Sequence, residues 1–91
     1  MDDKPYKEII SGDHFIREFS PEIDFEDLKW HRDYEDRLVT PLEANDWLYQ
    51  EDNKLPIAIS KDIFIPKGVW HRVIKGTTPL KIKLIKFSEN Q

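Results

Sequence analysis

The chain has 91 residues, too few for two hydrophobic cores, so we expect one domain over 1–91 with its core at about 14–87 and polar ends. It contains no cysteine, which excludes disulfides, thiolate nucleophiles and cysteine metal sites. The 18 acidic and 14 basic side chains give a net charge of −4, and the lysines are spread along the chain, so we expect no nucleic-acid partner.

The beginning of the chain has neither the basic nor the apolar region of a signal peptide. No apolar run approaches the ~18 residues of a membrane span. The sequence therefore predicts a soluble, cytoplasmic protein with no membrane partner. A domain of this size buries only a thin core, so we also expect a homodimer that covers more apolar surface.

Short strands separated by turn residues follow one another along the chain. Ile9 and Ile10 are expected to pair weakly with a sheet edge, and 20–27 to form a loop with one helical turn. Asn53 suits a tight hairpin connection because it tolerates positive φ. The predicted strands are 14–19, 28–33, 37–42, 47–52, 55–59, 63–65, 70–75 and 80–84. This pattern predicts an all-β fold, a small antiparallel barrel or jelly-roll sandwich.

One turn in this pattern has a distinctive spacing. Ser60 is followed by five residues, then by Pro66, Lys67, Gly68, two residues and His71. Pro66 ends an apolar strand, Gly68 permits a sharp turn, and His71 begins the returning strand. The segment resembles the second motif of the cupin superfamily, with serine in place of the first glycine. The resemblance covers roughly 28–87 and implies a small cupin-type barrel or jelly roll.

The first cupin motif, which has two histidines and a glutamate, is only partly matched upstream. His31 fits the first histidine, Asp33 stands at the second, and Arg37 stands at the glutamate, with Ala44 at the final glycine. Strand alternation places His31 and Asp33 on one face, and the resemblance places His71 on the same cavity. Two histidines and a carboxylate with open positions suit Fe(II), and less specifically Mn, Ni or Zn.

Other polar residues favour a ligand more than a metal. A guanidinium cannot bind a metal, so Arg37 is expected either to pair with Asp33 or Asp36 or to grip an anionic ligand. Lys75, four residues after His71, would add positive charge near the site. Gln50 would add a polar anchor if its face of the strand points inward, whereas Trp47, Tyr49 and Glu51 share the opposite face.

Three hypotheses follow. The chain binds a divalent metal through His31, Asp33 and His71 together with a small polar molecule. Alternatively, it is a metal-free module that holds an anionic metabolite or a sugar, or a structural assembly domain. No nucleophile motif, phosphate-binding loop or dinucleotide fingerprint is visible, so the sequence assigns no catalytic residue. Enzymatic activity would need the metal, or His31 and His71 as acid and base.

Overall fold

The computed structural model describes residues 6–87, which form two antiparallel β-sheets. Its strands are β1 (Lys7–Ser11), β2 (His14–Phe19), β3 (Asp36–Pro41), β4 (Leu48–Glu51), β5 (Ile57–Ala58), β6 (Ile63–Ile65), β7 (His71–Ile74) and β8 (Leu80–Phe87), with a 3₁₀ turn at Phe25–Asp27. One sheet has the order β1-β2-β8-β3-β6 and the other β5-β4-β7. The predicted all-β antiparallel fold is confirmed, as a jelly-roll sandwich rather than a closed barrel.

Strand β8 shows how alternation builds the interior. Leu80, Ile82 and Leu84 are buried, because successive side chains of a strand point to opposite faces. Strand β8 lies between β2 and β3 in the larger sheet, so its inward side chains meet neighbours on both sides. The buried apolar core consists of Phe19, Leu28, Val39, Trp47, Tyr49, Ile59, Ile63, Ile65, Leu80, Ile82 and Leu84.

The interior is packed tightly at one end. We call this the packed end, and it consists of Trp47, Phe19 and Leu80. Trp47 is fully buried, donates its indole N–H to the Thr78 carbonyl at 2.6 Å, and lies 5.7 Å from Phe19 between ring centroids. Phe19 and Leu80 are register partners across β2 and β8. These side chains close that end of the sandwich.

Two turns that are hydrogen-bonded to each other lie next to the packed end. The Asp46 carboxylate accepts bonds from the Thr77 backbone N–H and hydroxyl, at 2.8 and 2.6 Å, and from Thr78. These bonds lower the Asp46 pKa to about 2. Gly76 lies so close to this residue that an added Cβ would stand 2.7 Å from the Asp46 carbonyl carbon. The Asp46 turn and the Gly76 turn are therefore locked together.

The largest differences from the sequence prediction concern four elements, of which one is β8: it continues from the predicted 80–84 to Phe87. Segment 28–33 is not a strand: it forms a single backbone bridge, from His31 to His71, and Trp30 and Arg32 on either side of His31 are exposed. The predicted strand 55–59 shortens to β5, since Pro56 has no N–H to donate. The weakly pairing edge at Ile9 and Ile10 is a complete five-residue strand, β1.

The predicted turns agree with the structure. Asn53 has φ 65° in the hairpin after β4, and Gly68 has φ 84° in the turn between β6 and β7. Of the predicted polar ends on either side of 14–87, residues 1–5 and 88–91 lie outside the described residues, whereas the rest of the first end carries β1. Within residues 6–87 there is no helix of the length and apolarity needed to cross a bilayer.

Candidate metal centre and cavity

Three side chains singled out in the sequence converge at the start of β7. His31, Asp33 and His71 each offer a ligand atom, and these atoms all lie within 4.8 Å of one another. Asp33 and His71 are buried, whereas His31 is exposed. The three line a cavity of about 580 Å³, which we call the cavity end of the molecule. The structure thus brings together the predicted metal ligands.

Backbone bonds place these ligands although segment 28–33 is not a strand. The His31 N–H donates to the His71 carbonyl and the His71 N–H to the His31 carbonyl, each at 2.9 Å. The Gly68 N–H donates to the Asp33 carbonyl at 2.9 Å. Since Gly68 belongs to the turn that precedes β7, the same turn that presents His71 also positions Asp33.

Both imidazoles are oriented by backbone carbonyls. His71 Nδ1 lies 2.9 Å from the Val69 carbonyl, and His31 Nδ1 lies 3.1 Å from the Lys29 carbonyl. A carbonyl only accepts, so each Nδ1 carries the proton, and in the neutral ring Nε2 keeps its lone pair. Burial lowers the pKa of His71, which favours that neutral ring. A carbonyl that accepts from Nδ1–H and an Nε2 with a free lone pair are typical of metal-ligating histidines.

The two oxygens of the Asp33 carboxylate have different surroundings. Oδ1 lies 3.3 Å from Nη1 of Arg37. Oδ2 is buried and, among the residues described, has no hydrogen-bond partner, although His71 Nε2 lies only 3.4 Å away. With His71 neutral and protonated on Nδ1, this is a contact between two lone pairs, not an ion pair. A cation between Oδ2 and Nε2 would satisfy both, so the residues present fit a metal ion.

Arg37 lies on β3 and contacts one oxygen of Asp33. Its guanidinium pairs with Asp33 and, through Nε, with Glu35. Asp36, the other predicted partner, accepts a bond from the Lys67 N–H at 2.7 Å instead. Because Arg37 uses Oδ1 of Asp33 and leaves Oδ2 toward His71, the arginine and a metal would use different oxygens.

Two residues that the sequence offered for ligand binding do not line this cavity. Trp47 and Tyr49 fill the interior, so Gln50 points to the other side of β4, where its side chain bonds Arg72 at 3.0 Å and the Lys54 carbonyl at 2.9 Å. Lys75 donates Nζ to the Ile23 carbonyl at 2.8 Å and ties the 20–27 loop to the end of β7. Neither side chain lies beside His31, Asp33 and His71 in this cavity.

Further charged residues line the cavity that sequence reasoning did not select. Arg17 donates to Glu8 at 2.6 Å across β1 and β2. Lys86 lines the same cavity from β8, with Nζ 4.5 Å from the centre of the Phe15 ring. Its position was readable in the sequence, since the alternation of 80, 82 and 84 continues to 86 on the inward face.

Tyr49 lies on β4 of the smaller sheet and lines the cavity. Its hydroxyl donates to the Glu51 carboxylate at 3.0 Å, and its ring centroid lies 5.7 Å from that of His71. Burial and the neighbouring Glu51 carboxylate raise the pKa of Tyr49. Tyr49 therefore stays neutral and forms a wall beside the histidine.

On the outer side of the His31–His71 bridge, two arginines pack against tryptophan rings. The Arg32 guanidinium lies 5.1 Å from the Trp70 ring centre, and Arg72 lies 4.7 Å from that of Trp30. These cation–π contacts confirm that Trp30 and Arg32 take the face opposite His31 and Asp33.

Comparison with known proteins rests on structure alone. No protein-family model matches the sequence, and no curated protein matches it either. Among solved structures, a cupin domain from Bordetella pertussis Tohama I superimposes with a TM-score of 0.59 at 18% identity, over 97% of this chain and 99% of that one.

Two larger proteins also match. A structure of the DMSP lyases RdDddP and RnDddQII gives a TM-score of 0.70 at 15% identity over 84% of this chain. FeII HppE gives 0.63 at 16% identity over 90% of this chain. The chain spans only 38% and 48% of these two proteins. The shared architecture and the Pro66–His71 turn lead to one conclusion: this chain has the fold of the cupin superfamily.

Proposed function

We propose that this protein binds a divalent transition metal through His31, Asp33 and His71 and receives a small molecule in the adjoining cavity. The observation that carries the proposal is the buried Oδ2 of Asp33, which has no hydrogen-bond partner in residues 6–87 and faces the lone pair of His71. Burial of an unpartnered carboxylate oxygen costs about 1–3 kcal/mol, and a cation removes that cost.

Fe(II) is the first choice of metal, since two histidines and one carboxylate with open positions are the ligands of non-haem Fe(II) sites. FeII HppE, which shares the fold, supports this choice. A bound divalent ion would act as a Lewis acid on a molecule in the cavity. The chain's own residues hold the two imidazoles in the ligating tautomer, orient Asp33 through Arg37, and wall the site with Tyr49.

The cavity also bears on the rival hypotheses. A structural assembly domain would have a filled, dry interior, whereas about 580 Å³ adjoins the histidines here. A metal-free binding module would leave Oδ2 of Asp33 unsatisfied. The single domain over 1–91, the homodimer and the cytoplasmic location stay predictions from the sequence.

Metal analysis tests the proposal. Protein purified without a polyhistidine tag is analysed by mass spectrometry for bound metal, then stripped with chelator and titrated with Fe(II), Mn, Ni and Zn while unfolding is followed thermally. We expect a raised unfolding temperature with at least one metal, and on the order of 100-fold weaker affinity for His71→Gln. His14→Gln is the matched control, because His14 starts β2 on the outward face. Absence of bound metal and of any thermal shift would exclude the proposed function.

A further inference from the structure

Cationic side chains line the cavity in addition to the candidate metal ligands. Arg17, Arg37 and Lys86 line it from the larger sheet, and Arg37 and Lys86 are register partners on β3 and β8. All three side chains are partly buried on the inward face. Three cations therefore lie on one wall, opposite His71 and Tyr49 of the smaller sheet.

These three cations are not equally paired. Arg17 donates to Glu8, and Arg37 is held between Asp33 and Glu35. Lys86 forms neither a hydrogen bond nor an ion pair with any of the described residues, and its ammonium lies over the Phe15 ring. Burial lowers the pKa of Lys86, and the nearby Arg37 and Arg17 lower it further. The Glu35 and Glu8 carboxylates act on the Lys86 pKa in the opposite direction, but they are paired with Arg37 and Arg17, and no carboxylate among the described residues is bonded to the Lys86 ammonium.

The balance of charged side chains around the cavity also bears on the ligand that the cavity would bind. The cavity is lined by four cationic side chains (Arg17, Lys29, Arg37 and Lys86) and three carboxylates (Glu8, Asp27 and Asp33), and Glu35, which pairs with Arg37, brings the local charge to zero. A divalent ion at the histidines would raise this to +2. Positive charge confined in a cleft attracts and concentrates anions, and a partly desolvated ammonium gains most from an oxyanion.

We propose that the cavity binds a small organic oxyanion whose charged group is received by Lys86 between Arg17 and Arg37. The opposite end of the same molecule reaches the centre formed by His31, Asp33 and His71, and in this respect the inference rests on the proposed function. It names the substrate class of that site and assigns Lys86 and Arg17, which the sequence motifs do not include.

The experiment measures binding by NMR titration to chelator-treated protein and to zinc-loaded protein. The probes are succinate, its uncharged analogue succinamide, and inorganic phosphate, which separates a carboxylate from a phosphoryl group as the recognised anion. Lys86→Met keeps the apolar stem against Phe15 and removes the charge, whereas Lys86→Arg keeps the charge. Lys83→Met is the matched control, because Lys83 lies on the same strand and its register partners Ile16 and Thr40 are on the outer face.

We expect saturable binding of succinate or phosphate, weakened about 10-fold or more in Lys86→Met and retained in Lys86→Arg and Lys83→Met. Tighter binding in zinc-loaded protein would support the link to the metal centre. Equal binding by Lys86→Met, equal binding of succinamide, or no saturable binding of either anion would overturn the inference. Each variant is also titrated with zinc alone: normal zinc binding without anion binding refutes this inference and leaves the proposed metal function intact.

Discussion

The packed end and the cavity end are built on the same strands, yet they differ in chemistry. On β8 the inward side chains run from Leu80, Ile82 and Leu84 to Lys86, and on β3 they change from Val39 to Arg37. On β2 the inward side chains are Phe19, Arg17 and Phe15, so the charged residue there lies between two apolar ones. A single alternation therefore supplies apolar residues for packing at one end and charged residues for a site at the other. The two regions meet at Phe19, which belongs to the packed end and also lines the cavity.

The largest effect is expected from Trp47→Ala, which tests the packed end. Trp47 is fully buried and bonds the Thr78 carbonyl, so its loss leaves a cavity and an unpaired acceptor. We expect about 3–5 kcal/mol less free energy of unfolding, measured by urea denaturation. Trp70→Ala is the control, because 45% of Trp70 is exposed. Similar losses for both variants would contradict the special role of the packed end.

Asp33→Asn tests the cavity end, where we expect a much smaller change. The amide can donate to His71 Nε2, and Arg37 keeps its pair with Glu35. The free energy of unfolding of metal-free protein should therefore change by less than about 1 kcal/mol. At the same time, the thermal shift on adding metal should disappear. A loss as large as that of Trp47→Ala would show that Asp33 belongs to the structural core.

The smallest effect concerns Asp46, whose pKa lies near 2 in the folded chain against an ordinary 3.8. A lowered pKa means that its contribution to stability is complete above about pH 4 and is lost as the pH falls toward 2. We therefore expect Asp46→Asn to be less stable than the parent at pH 6, with the difference shrinking between pH 4 and 2. Denaturation curves at several pH values measure this. A difference independent of pH would rule out the carboxylate as the cause.

Much of the fold and of the candidate metal centre could be predicted from the sequence, because both depend on local sequence patterns. Pro66, Gly68 and His71 specify a turn through their own backbone chemistry, and the regular spacing of short strands specifies the sandwich. The predicted ligands His31, Asp33 and His71 converge for the same reason, although 28–33 is not a strand. One backbone bridge is enough to preserve the alternation of faces.

Other features depended on which face of a strand is buried, which periodicity alone does not give. The pattern of 47–51 is equally consistent with Gln50 or Tyr49 inside, and the structure shows that the larger aromatic side chains prevail. Lys75 was expected near the site from its register with His71, but the 20–27 loop offers its ammonium a carbonyl acceptor first. Arg17 and Lys86 were missed because charged residues are usually assigned to the outer face.

The reciprocal backbone bonds between His31 and His71 also determine where the chain tolerates changes in length. Residues added to or removed from the 20–27 loop leave the bridge free to form again in the same register. Loss of a single residue between His31 and Asp33 would turn Asp33 outward and bring Tyr34, now 84% exposed, into its place. Insertions and deletions can therefore accumulate on one side of the bridge, while a stretch of three residues has to keep its exact length.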